Sequence, residues 1–144
     1  MTNWTEDILP FLGNWRLLPQ TCDYEQGHPP KSGSYGITLQ NGEVSFTISA
    51  VDLENKKSKY ELKGRADGEK RDFVVKDVID TLSIELRNDN KEIWIIGFSG
   101  EREQMVSQLQ LDSSNQALRV TQVVFFTDGS KMTNSAVYSK RVVN

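Results

Sequence analysis

The chain has 144 residues, with 17 Lys+Arg against 20 Asp+Glu and a formal net charge of −3. Its 37% apolar content is enough for one core, and the length suits a single domain over 1–144. No run approaches the roughly 18 uninterrupted apolar residues of a membrane span, and the mixed charges lack the basic footprint of a nucleic-acid binder. Met1-Thr-Asn-Trp-Thr-Glu-Asp carries neither a basic n-region nor an apolar h-region, and Cys22 is the only cysteine, so no internal disulfide can form. A reducing, cytoplasmic setting is expected.

Taken in chain order, Thr5-Glu-Asp-Ile-Leu-Pro-Phe-Leu predicts a short helical turn with Thr5 as N-cap, limited by Pro10, that plugs the end of the fold. The dominant pattern beyond it is strict alternation. Val44, Phe46, Ile48 and Ala50 interleave with Glu43, Ser45, Thr47 and Ser49; Tyr60 and Leu62 with Lys59, Glu61 and Lys63; Leu82, Ile84 and Leu86 with Thr81, Ser83, Glu85 and Arg87. Asn41-Gly42, Asp67-Gly68 and Asp128-Gly129 are dipeptides that accept positive φ and close tight hairpins, and Asn88-Asp89-Asn90 and Ser113-Ser114-Asn115 serve as longer turns. The spacing predicts ten strands, at 13–18, 33–40, 43–51, 58–66, 70–76, 79–87, 91–98, 102–111, 116–127 and 131–142. Residues 19–32, with Pro19, Gly27, Pro29 and Pro30, are expected as a loop at one barrel mouth. Sequential antiparallel strands on short connections form a meander, and a meander of this length removes its exposed edges by curling into a closed barrel. The expected fold is therefore all-β, an up-and-down barrel of about 8–10 strands with a short N-terminal helix.

Phe11-Leu12-Gly13-Asn14-Trp15-Arg16-Leu17 resembles the Gly-x-Trp opening strand of the calycin superfamily, the lipocalins and fatty-acid-binding proteins. Thr127-Asp128-Gly129-Ser130 followed by Tyr138-Ser139-Lys140-Arg141 resembles the last hairpin of the fatty-acid-binding branch. The resemblance implies structural closure by Gly13 and Trp15, with a closing-strand cation from Lys140 or Arg141 against the indole, and a small hydrophobic ligand inside the barrel. It also departs from that branch. Ala136 stands where an Arg two residues before the final Tyr would hold a carboxylate, and residues 19–32 are too short and proline-rich for a helical lid. A lipocalin-like barrel outside the well-known branches is the resulting expectation.

Little else in the chain signals chemistry. His28 is the lone histidine and sits in a loop, Cys22 has no visible activator, one His and one Cys cannot assemble a zinc site without carboxylates, and no glycine pattern makes a phosphate loop. No catalytic residue, metal or cofactor is assigned. The barrel interior is left as the site. Traced with apolar parity inward, its candidate ligand-binding residues are Tyr138, Asn134, Trp94, Tyr60, Phe46, Tyr35, Met105 and Phe126, with Ile96 also facing in. An inward Asn and phenol require hydrogen-bond partners, which a ligand can supply. Three functions stay open: binding of a lipid-like hydrophobic molecule, an isomerase or cyclase using the same cavity through Tyr138, Tyr60 or His28, and a filled barrel serving a protein partner. Two runs are apolar on both faces, Ile93-Trp94-Ile95-Ile96 and Val123-Val124-Phe125-Phe126; their outward side chains call for cover from the N-terminal helix or from a second subunit in a homodimer.

Overall fold

The computed structural model describes residues 3–25, 27–75 and 79–140. Ten antiparallel strands follow a short helix, α1 (Trp4–Asp7), and a single 3₁₀ turn (Leu9–Phe11). They are β1 (Gly13–Tyr24), β2 (Ser32–Gln40), β3 (Glu43–Val51), β4 (Lys57–Gly64), β5 (Arg71–Val75), β6 (Ile79–Arg87), β7 (Glu92–Ser99), β8 (Arg102–Leu111), β9 (Ala117–Phe125) and β10 (Lys131–Lys140). One sheet holds them all, in the order β4-β3-β2-β1-β10-β9-β8-β7-β6-β5. The first and last strands pair, so the meander curls into a lipocalin-like up-and-down barrel. Among the described residues β4 and β5 share no ladder, so the closure expected of the barrel is incomplete and a seam remains. At one end the seam is stitched by the Asp67↔Glu85 bridge, a hydrogen bond from Gly68 N to Ile84 O of 2.8 Å, and Ile84 lying where a Gly64 side chain would begin. No helix among the described residues is long and apolar enough to cross a membrane.

The strands form where alternation and turns place them. Asn41-Gly42 carries φ of 53° and 77°, and Asn88, Asp89 and Asn90 all have positive φ, the conformations these residue types tolerate best in tight connections. The helix differs from expectation at its start. Asn3, not Thr5, occupies the N-cap, and the Thr5 hydroxyl donates to the Asn3 side chain while no side chain caps the helix.

Packing concentrates at the end where β1 begins. Ile8, Phe11, Trp15, Ile37, Val44, Phe46, Ile93, Ile95, Leu109 and Leu118 are fully buried there or next to it. Trp15 donates its indole N–H to the Phe11 carbonyl at 2.9 Å, which ties the N-terminal turn to the barrel floor. The ammonium of Lys140, directly opposite Trp15 on β10, lies 5.3 Å from the indole ring, so Lys140 supplies the closing cation. Arg141 lies outside the described residues. Gly13, at φ 133°, occupies a backbone conformation that side chains rarely adopt.

β1 runs six residues further than the sequence suggests, through Pro19 to Tyr24. Pro19 has no N–H to give the ladder, so the chain bulges: Leu18 pairs with Val137, but the next partners are Asp23 and Ser135. Thr21 repairs the break, its hydroxyl donating to Leu18 O at 2.6 Å and accepting from Val137 N at 2.8 Å. The bulge adds an odd number of residues on β1, so it reverses which side chains face in and turns Tyr24 into the barrel opposite Asn134.

On β7 the interior is the set expected to face out. Ile93 and Ile95 are in the core, while Trp94 and Ile96 face outward, correcting the inward placement of both. Both faces of that segment are apolar, so alternation could not choose between them; cross-strand neighbours Glu85 and Gln108 set the outer face at Trp94. α1 packs at the barrel end rather than over this patch. Ile96 and Phe98 are covered within the chain, at 6% and 7% exposure, with the Lys70 ammonium 4.0 Å above the Phe98 ring.

Thr21→Val keeps the side-chain shape but removes the hydroxyl that accepts from Val137 N. It should lower stability by about 1–2 kcal/mol in denaturant titration; an unchanged midpoint would show that the hydroxyl does not hold the bulge.

A tyrosine-lined chamber as the candidate functional site

The half of the barrel away from α1 is hollow. A cavity of about 210 Å³ is lined by Tyr24, Tyr35, Ile48, Tyr60, Ser107, Val120, Gln122, Asn134, Ser135, Ala136 and Tyr138. These include all four tyrosines of the chain, and no charged residue is among the described lining residues. Each tyrosine is delivered by a different strand: β1 after its bulge, β2, β4 and β10. Tyr35 meets Tyr138 edge to face with ring centroids 5.7 Å apart and Phe46 at 6.3 Å, so the rings stack from the filled floor into the chamber. Tyr35 and Tyr138 are buried, and Tyr60, on the seam strand β4, is 46% exposed at the opening.

The polar groups have defined orientations. Asn134 Oδ1 accepts from Glu25 N at 3.0 Å, which leaves its amide N–H groups for the chamber. Gln122 Nε2 lies 3.4 Å from Met105 Sδ and Ser107 Oγ lies 3.3 Å from the same sulfur. Met105 therefore sits behind the lining and steers two polar side chains. Gln122 turns its donor toward the sulfur, and its carbonyl makes no hydrogen bond among the described residues.

Of the residues expected from sequence, Tyr138, Asn134, Tyr60 and Tyr35 come together in the lining, with Phe46 and Met105 packed against it. Two do not join them. Trp94 is on the outer face, where its indole N–H donates to Glu92 Oε1 at 2.8 Å and the Arg87 guanidinium stacks 4.2 Å from its ring. Phe126 follows the end of β9, 41% exposed, beside Arg102, Glu103 and Ser130. Sequence reasoning misses Tyr24, Gln122 and Ser107. Gln122 and Ser107 lie on the inward parity of their strands, but their polarity argues for the outer face; Tyr24 faces inward only because of the bulge. His28 lines a separate hollow of about 310 Å³ at the same end, with Tyr24, Pro30, Asp52 and Lys57.

Burial decides the electrostatics. It raises the pKa of Tyr35 and Tyr138 far above the usual phenol range, and neighbouring phenols and the Cys22 thiol push the same way. Tyr24 and Tyr60 are also raised by burial, as is the Cys22 thiol. Neutral phenols in this state are hydrogen-bond donors and acceptors. On the outer surface the opposite balance holds at Glu92: burial pushes its carboxyl up, but hydrogen bonds from Trp94, Asn88, Gln108 and Gln110 outweigh it and hold the carboxyl below its ordinary value.

No protein-family model matches the sequence, and no curated protein matches it. Solved structures match the fold. The S-type phycobiliprotein lyase CPES from Guillardia theta superposes with a TM-score of 0.65 at 9% identity, over 99% of this chain and 95% of that one. A mutant of the REP1-NXSQ fatty acid transporter gives 0.59 at 8% identity, over 92% and 99%. Zebrafish ileal bile acid-binding protein complexed with cholic acid gives 0.53 at 11%, over 92% and 99%. At these identities the likeness is one of architecture, and the architecture is that of a calycin-type barrel.

The sign of the phenol shifts gives a pH dependence. A pKa raised in the folded state stabilises the fold below the unfolded value of 10.0, and that contribution is lost as pH rises further. Phenolate absorbance should therefore lag the normal titration of tyrosine and appear together with alkaline unfolding. Four phenols ionising near pH 10 in an intact fold would contradict the buried chamber.

Proposed function

We propose that this chain binds a small, uncharged, largely apolar molecule with one or two hydrogen-bonding groups, held among the phenols of the chamber. The observation that carries the reading is the convergence of all four tyrosines on one cavity with no charged residue among its described lining. An ionised carboxylate placed there would give up its hydration with no cation among the described lining residues to meet it, and Ala136 lines the wall where an Arg clamp would stand. Size points the same way. A cavity of about 210 Å³ exceeds the roughly 150 Å³ that accommodates benzene but falls short of the roughly 300 Å³ at which drug-sized pockets begin. A one- or two-ring compound or a short neutral amphiphile suits it better than a long-chain lipid. The barrel matches seen in the transporter, the bile-acid-binding protein and the lyase support small-molecule binding in the interior as a use of this fold. Neutral phenols favour binding over acid–base chemistry, so the carrier reading is preferred to an enzyme in the same cavity.

The test is native mass spectrometry of the purified protein, followed by calorimetric titration with 2-naphthol as the probe. A one-to-one complex is expected, weakened about tenfold by Tyr138→Phe with the denaturant midpoint preserved. Binding that is absent, or indifferent to Tyr138→Phe and Tyr35→Phe alike, would overturn the proposal.

A further inference from the structure

The wall that carries Trp15, Tyr35, Ile48 and Tyr60 inside the barrel presents a different row outside. Arg16 on β1 pairs with Ser34 on β2, Ser34 with Ser49 on β3, and Ser49 with Lys59 on β4, so four side chains stand in line across four strands on one face. A cation closes each end of the row and two hydroxyls fill the middle. Lys57 stands one pleat further along β4. This row floors a groove of about 700 Å³ on the outer surface, which includes no carboxylate among its described lining residues. Arg16 and Lys59 form no ion pair among the described residues, whereas Arg71 and Arg87 do. In a chain of net charge −3, an acid-free groove with cations on both rims is a local inversion of sign.

We propose that this outer groove is a second binding site, distinct from the tyrosine chamber, for an elongated small molecule with an acidic group at each end. Three strand-to-strand steps separate the rims by about 14 Å, a span that one anionic group cannot bridge and an extended dianion can. Arg16 offers a planar fork and Lys59 a point charge, the two usual partners of carboxylate and phosphate oxygens. Ser34 and Ser49 between them are small enough to let a flat or linear body lie against the sheet, and their hydroxyls can bond to it. The concavity favours a small molecule over the flatter footprint of a protein surface.

Calorimetric titration of the whole protein at low ionic strength tests the assignment, with dodecanedioate as probe, dodecanoate as its one-ended control and a hexaglutamate peptide as the macromolecular alternative. Dodecanedioate should bind at least about tenfold more tightly than dodecanoate and weaken with added salt. Arg16→Ala and Lys59→Ala should each remove most of that preference, and Ser49→Asp should abolish binding by placing a like charge mid-groove. Thermal unfolding of each variant confirms that these surface changes leave the fold intact. Tyr138→Phe should leave dodecanedioate binding unchanged. Equal affinity for the two acids, loss of binding in Tyr138→Phe, or tighter binding of hexaglutamate than of dodecanedioate would each overturn the proposal.

Discussion

Everything in the structure depends on the pairing of the first strand with the last. β1 is hydrogen-bonded to β2 on one side and β10 on the other, so it converts a linear meander into a curled wall with an inside. Trp15 makes that junction specific. Its ring is fully buried, its N–H is satisfied by the Phe11 carbonyl, and Lys140 covers it from the partner strand. Buried aromatic surface of this size is a large contribution to a marginal total, and satisfying the indole N–H avoids the penalty of an orphaned donor. With that end packed solid, the other end is free to stay open.

The division into a filled half and a hollow half is a matter of side-chain choice along the same strands. β2 reads Ile37 into the floor and Tyr35 into the chamber; β10 places Tyr138, Ala136 and Asn134 in succession along the wall. Large aliphatics fill space and leave no donors. Phenols leave space around their hydroxyls and need partners there, and their high pKa values keep them neutral for that role. The period of two along each strand lets β1–β4 do two things at once, with aromatic residues within and the Arg16–Ser34–Ser49–Lys59 row without.

Most of the fold is legible in the sequence because its signals are local. Alternation and Asn-Gly or Asp-Gly turns place ten strands and their neighbours, and Gly13-Asn14-Trp15 marks the closing junction. The failures come where two patterns tie or where a long-range contact decides. Ile93-Trp94-Ile95-Ile96 is apolar on both faces, and only its cross-strand neighbours Glu85 and Gln108, with Glu92 accepting the indole N–H, settle its orientation. Pro19 reads as the end of β1, and the strand's continuation rests on Thr21 reaching Val137, more than a hundred residues away in sequence. That bulge also hides Tyr24. Phe126 falls just past a strand that the apolar run extends beyond its true end at Phe125. The chamber itself is half visible: parity picks out its aromatic members but not Gln122 and Ser107, since polarity alone suggests the outer face.

The convergence of every tyrosine on one chamber can be tested directly, because no other tyrosine exists to confuse the signal. Protein made with 3-fluorotyrosine should show four fluorine resonances, and adding 2-naphthol should shift all four at one common saturation point. A shift confined to the exposed Tyr60, or four resonances that respond at different concentrations, would contradict a single ligand chamber.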